Sequence, residues 1–404
     1  MTRTKKTVII FAAAAMLFSK AFASSFFSGY SGAKLNYSAN QKSEDYDPDL
    51  TLQAFFAGQF NFTQNTWSHI ELSIDTGDFL GQSLFHETPS LFQIDEISLI
   101  TRANLSSVSN YFSIFMGTYD PIGSDIFLQR YFTISPIASK LVDSYLGLAG
   151  SILYPHFGLG IADIIKMHNV PVAMGGYVYA NHEDAKFYVL NADLRFACNF
   201  RYFTCDFAAG LGFPLANSYQ GSDVIVAVDK VYWHAGTTIL FGNNFTQSLF
   251  IQAGIYNATF NAARESIIAP SDFYLLFEPR FKAQDTHINL SIFSLPPATV
   301  EKLLFVDDTL GADFHVYTET LQLGSKVFTL GSHFSFSLIN KTFMDFKDAA
   351  NLLENGYNLN FTPYFATEFL SGELHVQSTL RLMKFVEGSI GKGISVDIGF
   401  RTRF

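Results

Sequence analysis

From Val396 to Phe404 the side chains alternate in character. Val396, Ile398, Phe400, Thr402 and Phe404 share one face of an extended strand, and Asp397, Gly399, Arg401 and Arg403 share the other. A strand of this kind needs an apolar medium on one side and water on the other. The pattern returns in ADLRFA, DFAAGLGF, GADFHVYTE and ELHVQSTLRLM. In the last of these, Leu374, Val376, Leu380 and Leu382 oppose Glu373, His375, Gln377 and Arg381.

Marking every such segment gives eighteen expected strands, with sixteen as the alternative count: 29–39, 50–62, 67–76, 91–103, 109–119, 144–154, 171–181, 186–198, 202–213, 231–241, 247–258, 272–281, 285–294, 309–319, 326–338, 357–369, 371–383 and 393–404. Most have about ten to thirteen residues, the length a tilted strand needs to cross a hydrocarbon layer. Short connections at 63–66, 104–108, 199–201, 242–246, 282–284 and Leu370 alternate with longer ones at 40–49, 77–90, 120–143, 214–230, 259–271, 295–308 and 339–356. Two connections break this rule. Residues 155–170 are long where a turn is expected, with GIADIIKMH readable as a short helix, and residues 182–185 are short where a loop is expected. The fold class expected is all-β: a transmembrane antiparallel up-and-down β-barrel, closed so that no strand edge faces lipid. A soluble sandwich would leave the outward Phe, Leu and Ile rows without a partner sheet.

Composition agrees. Charged residues make up 15% of the chain, aromatics 16%, and Phe alone fills 44 positions, yet no stretch after the first two dozen residues is long and apolar enough for a spanning helix. Residues 1–23 carry Arg3, Lys5 and Lys6, then an apolar run, then Ala21-Phe22-Ala23. That order is expected to be a cleaved signal peptide, with the mature chain beginning near Ser24 and residues 24–404 forming one barrel domain. Removing the leader's four basic residues from 26 leaves 22 against 36 acidic, a formal charge of −14. Such a balance argues against nucleic acid as a partner and biases a pore toward cations if the acids face the lumen.

The terminal strand resembles the C-terminal signal of bacterial outer-membrane barrels, carried here by Val396, Ile398, Phe400 and Phe404, with Thr402 departing from the usual apolar residue. What the resemblance implies is an outer-membrane location in a Gram-negative-type envelope, with the lipid bilayer and the barrel-assembly machinery as partners. The layout also resembles general porins, in which the loop after the fifth strand folds inward and narrows the channel. By that resemblance Asp120, Asp125, Arg130, Lys140 and Asp143 are candidates to line a constriction, and a homotrimer is the implied assembly.

In lumen phase fall Glu71, Asp75, Asp193, Arg195, Glu278, Arg280, Asp313, His315, Glu319, Glu373, His375, Arg381, Asp397, Arg401 and Arg403. Charges face inward because water is there and lipid is not; a sharper reading is a ladder that steers solutes. Cys198 and Cys205 flank the turn NFR, and a register in which paired numbers sum to 403 places them opposite each other as a disulfide candidate. Their C-x6-C spacing is a poor metal signal, so neither a metal nor any other cofactor is expected.

No phosphate loop, zinc spacing or nucleophile elbow is present, and His333 and Ser335 in GSHFSFS point to the lumen, so no enzymatic activity is expected. The function expected is a porin-like channel passing small hydrophilic solutes by diffusion. Two alternatives stand beside it: a transporter of hydrophobic molecules using lumen-phase Tyr256, Tyr274, Tyr317 and Tyr364, and a surface adhesin or structural barrel displaying long loops. Only about five residues are expected between the cleavage site and the first strand, too few for a plug domain.

Overall fold

A computed structural model describes residues 27–39, 47–78, 90–121, 126–134, 137–142, 156–184, 187–219, 222–228, 230–243, 245–260, 272–295, 300, 306–323, 326–338 and 356–404. The strands are β1 (Phe27–Ala39), β2 (Pro48–Asn61), β3 (Thr66–Thr76), β4 (Ser90–Asn104), β5 (Val108–Tyr119), β6 (His156–Met167), β7 (Val172–Asp184), β8 (Phe187–Phe200), β9 (Phe203–Tyr219) and β10 (Ser222–Ala227). There follow β11 (Val231–Gly242), β12 (Ser248–Phe260), β13 (Phe273–Ala283), β14 (Thr286–Ser294), β15 (Leu310–Leu323), β16 (Lys326–Leu338), β17 (Tyr357–Phe369), β18 (Gly372–Arg381) and β19 (Ile394–Arg403).

Every consecutive pair is antiparallel except around β10, a six-residue strand that pairs with the end of β9 only, while β9 goes on to pair with β11. β1 pairs with both β2 and β19, so the remaining eighteen strands close on themselves. Closure leaves no edge of unpaired backbone groups, which is what an apolar surrounding requires.

Phe404 lies at the closure seam. Phe404 and Gly29 exchange backbone hydrogen bonds at 3.0 Å in both directions. On the outer side the Phe404 ring stacks on Phe27 and Phe56, with centroids at 5.1 and 5.9 Å, and Phe27 meets Phe60 at 4.5 Å. A Cβ at Gly29 would stand 3.0 Å from the Phe404 ring, and one at Gly58 2.7 Å from that of Phe27. The two glycines therefore make room for rings to lie flat across the seam.

Seventeen of the expected strands lie on observed ones with ends shifted by a few residues; the sixth does not. Residues 144–154 fall outside the described residues, and the chain instead crosses at β6, within the span read as a long connection with a helix. Alternation is hidden there because β6 is apolar on both faces. Ile161 and Ile165 point outward, while Ala162 and Ile164 are buried inside, and the one acid, Asp163, sits on the outer face. With β6 placed, the connection to β7 becomes the short turn 168–171 and that exception disappears. The short β7–β8 connection at 185–186 keeps its place on the long-loop rim.

Short turns carry the expected backbone. Leu370 and Ser371, the two residues between β17 and β18, have φ of 47° and 63°, the left-handed pair that matches strand twist in a two-residue hairpin. Between β8 and β9 the register puts Cys198 directly opposite Cys205, but both remain thiols and no disulfide joins them. Being opposite is insufficient for a bond, since the Cβ vectors must also match a narrow geometry.

Outward positions form an apolar wall, with Leu194 71% and Leu159 64% exposed. Inward positions are mixed, and the largest apolar cluster lies inside the barrel, where the chain after β5 packs against the wall.

Candidate functional site

The connection after β5 leaves the wall at Asp120, whose φ of 41° turns the chain inward. Aspartate tolerates this left-handed conformation better than most residues. A short helix, α1 (Ile126–Phe132), follows, then a 3-10 turn over Lys140–Val142. α1 buries Phe127, Leu128 and Tyr131, and Ile137 and Leu141 are buried further on. Their partners are lumen-facing residues of β4 to β14, among them Ile100, Phe115, Tyr177, Phe250 and Phe293. Burying the three α1 side chains contributes roughly 4.5–9 kcal/mol at about 1.5–3 kcal/mol each.

Two polar hubs fix the segment. At the near hub Arg130 donates to Asp120 at 2.5 Å and to both oxygens of Glu96 at 2.8 and 3.0 Å. Asp120 also accepts from the hydroxyls of Tyr131 at 3.2 Å and Tyr177 at 3.1 Å, and its backbone carbonyl accepts from Arg195 at 2.6 Å. Arg195 in turn grips Asp206 with two donors, and its guanidinium lies 4.1 Å over the Phe127 ring. Burial, then the neighbouring Asp120 carboxylate, pushes the Tyr131 phenol up, so it stays protonated and donates. A bulge in β4 aims Glu96 at this hub: the register slips between Glu71 and Leu72, and Gly117 opposite, at φ 96°, makes room for it, since a Cβ there would meet the Asp95 carbonyl at 2.4 Å.

The far hub is Glu278 on β13. It accepts from Ser139 at 2.7 Å, from the Lys140 backbone N–H at 3.1 Å, from Ser291 at 2.8 Å and from Arg280 at 2.7 Å. Arg280 also donates to the Ala138 carbonyl at 2.7 Å. A carboxylate with this many donors holds its charge without water. Thus the segment leans on the wall at β4–β8 and again at β13–β14, spanning part of the lumen.

Of the five constriction-loop candidates, Asp120 and Arg130 belong to the near hub, Lys140 borders the far one, and Asp125 and Asp143 lie outside the described residues. Asp193 is buried, accepts from Tyr179 at 2.9 Å and lies 3.4 Å from His234. Glu71 bonds His69 at 2.7 Å, and Asp75 is half-buried farther along β3. Asp397 accepts from Asn36 at 2.7 Å, Arg381 donates to Asp307 at 3.2 Å, and Arg401 pairs with Glu373 at 2.9 Å. Arg403 is exposed at the rim. Asp313, His315, Glu319 and His375 lie on the β14–β18 wall, where Asp313 meets His333 at 2.8 Å and Glu319 meets His287 at 3.5 Å. His333 thus bonds a carboxylate. Of the lumen-phase tyrosines, Tyr274 is in the apolar cluster, Tyr317 and Tyr364 stack among these histidines, and the side chain of Tyr256 lies outside the described ones. Glu96, Asp206 and Tyr177 were missed by sequence reasoning; their lumen phase was readable, their convergence on one loop was not.

No family model matches the sequence and no curated protein matches it. Solved structures to which it is similar include a triple mutant of Rhodopseudomonas blastica porin, at 10% identity over 94% of this chain and 99% of that chain, TM-score 0.45. Another is a loop L8 deletion mutant of OmpT, an outer membrane protein of Vibrio cholerae, at 10% identity over 94% of this chain and 98% of that one, TM-score 0.37.

Proposed function

We propose that the chain is an outer-membrane channel for small hydrophilic solutes, exported by a cleaved leader over residues 1–23. Its passage would be the part of the lumen between the inward segment and the wall formed by β15–β19 and β1–β3. The observation that carries this reading is the two-hub anchoring of Asp120, residues 126–134 and residues 137–142 inside an eighteen-strand barrel with an apolar exterior. Such a barrel is wide enough for an aqueous path that side chains alone do not fill.

The solute and the ion preference belong to the proposal. Net charge alone suggests cations, but Asp120 and Glu96 share Arg130, so part of their charge is offset within the near hub. Val396, Ile398, Phe400 and Phe404 are proposed as the segment read by the assembly machinery, in addition to the seam packing of Phe404. A homo-oligomer is supported by Asp163, an exposed carboxylate on the outer face that accepts from Asn110 at 2.7 Å and that a protein neighbour would shelter from lipid. Single-channel recording from the refolded protein in a planar bilayer tests the central reading. Stable conductance steps are expected; a folded barrel that never conducts overturns it.

A further inference from the structure

Six rings form a continuous track across the inner wall of β14 to β18. His287 stacks on Tyr317 at 4.5 Å and 8°, Tyr317 on His315 at 4.9 Å and 21°, and His315 on His333 at 3.8 Å and 10°. Tyr364 reaches His315 Nε2 with its hydroxyl at 2.9 Å and stacks on His375 at 5.3 Å and 16°. A Cβ at Gly331 would stand 2.4 Å from the Tyr364 ring, so the glycine is what lets that ring fold across β16. Four of the chain's ten histidines are therefore gathered on one patch of lumen wall.

Rings that stack on neighbouring strands spend their faces on one another and present edges, where imidazole N–H and phenol O–H groups sit. His287, Tyr317, Tyr364 and His375 are half-buried, and His315 and His333 lie beneath them. From the anchored loop, the 3-10 turn that carries Lys140 packs against β14, the strand of His287.

Fixed charges around the track balance. Lys140 and Lys282, which is opposite His287 in register, offset Asp313 and Glu319. Toward the short-turn rim, Arg401 and Arg403 offset Glu368 and Glu373. With neutral imidazoles the local sum is close to zero, so the histidines decide its sign. An imidazole ordinarily titrates near pH 6.5. Because His315 and His333 stack face to face, two like charges on that pair would repel at short range, and the patch is expected to gain about two or three charges.

We propose that this track and Lys140 form an anion site at the constriction that is switched on by protonation, taking small oxyanions such as phosphate and carboxylates below about pH 6 and not near pH 8. The inference rests on the channel reading and names the solute class that the channel favours in acid. One unit charge about 6 Å from an aqueous path changes local ion concentration by about threefold in water-like dielectric.

Reversal potentials of the full chain in a salt gradient test it, at about pH 7.5 and pH 5 around the imidazole range. The chloride-over-potassium permeability ratio is expected to rise about tenfold or more on acidification, and added phosphate to reduce chloride current only in acid. H287Q/H375Q, which leaves the buried His315–His333 stack in place, should reduce the rise to about threefold, and K140Q should lower anion preference at both values. A conducting protein whose ratio is the same at both pH values, or a double variant that keeps the full rise, overturns the inference and leaves the channel reading standing. Should a folded barrel conduct at neither value, the channel reading falls, and phosphate 31P line broadening still tests the site: broadening in acid alone supports it, and none overturns it.

Discussion

Replacing Glu278 by glutamine removes the charge at the centre of the far hub while keeping size and shape. Arg280 then lies buried without its charged partner, and the amide cannot satisfy Ser139, the Lys140 N–H, Ser291 and Arg280 together. Breaking one side of a buried ion pair costs about 3–5 kcal/mol. At 1.4 kcal/mol per decade, the detached population of residues 137–142 should rise by roughly two to four orders of magnitude. The near half should hold, since the apolar burial of α1 and the Arg130 pairs are untouched. Trypsin reads the difference directly. E278Q should be cut after Lys140 and stay resistant at Arg130, with noisier and larger single-channel currents, while the barrel remains folded. Protection at Lys140 and currents equal to those of the unaltered protein would refute the hub as the anchor. Cleavage at Arg130 as well would mean that the two halves are one unit.

Other outcomes follow from the same contacts. R195M leaves Asp206 buried opposite no cation and should lower unfolding stability by about 3–5 kcal/mol, read as a fall in melting temperature of the detergent-folded barrel; an unchanged midpoint would contradict the pairing. G331A drives a methyl into the Tyr364 ring and should cost about 1–3 kcal/mol by the same measurement. F404A removes two ring stacks at the seam, worth about 0.5–1.5 kcal/mol each, and should lower the temperature at which the folded gel band converts to the unfolded one. Cys198 and Cys205 should both take a maleimide in denaturant without reductant; no labelling would mean that they are bonded.

Much of the architecture was legible because a lipid-spanning strand is two-sided. Strands such as β18 and β19 separate apolar from polar residues so cleanly that face and length can be read from spacing alone. β6 could not be read this way, since the inward loop turns its lumen face into packed core and Ile164 there looks like a lipid-facing residue. The candidate site divides similarly. Lumen phase identified Asp193, Arg195, Glu278 and Arg280, but Glu96 joins Arg130 only through a bulge whose position depends on the facing Gly117. Contacts between residues 138 or more apart, as between Glu278 and Ser139 or Lys140, leave no local pattern.

Alternation reveals which face a side chain takes and says nothing about the medium on that face. In this barrel the inner face meets two media. Along β4 to β8 and β13 it meets protein, and a charge there must be paired in fixed geometry, as Glu96, Arg195 and Glu278 are. Along β15 to β19 the contacts from loops are local, as where Asp307 and Asp308 before β15 accept from Arg381, Asn360 and Asn358, and charges such as Glu319 at 52% exposure keep water as a partner. The physical role of a lumen charge should follow that division. Neutralising one on the packed arc leaves its partner buried and uncompensated, so stability and loop docking should change with little direct effect on the field in the passage. Neutralising one on the open arc is screened in its effect on stability but alters the potential a passing ion crosses. R195M and E319Q therefore form a matched pair: the first should shift the melting temperature more than the reversal potential, and the second the reverse. If both shift both by similar amounts, the lumen is not divided as the packing indicates.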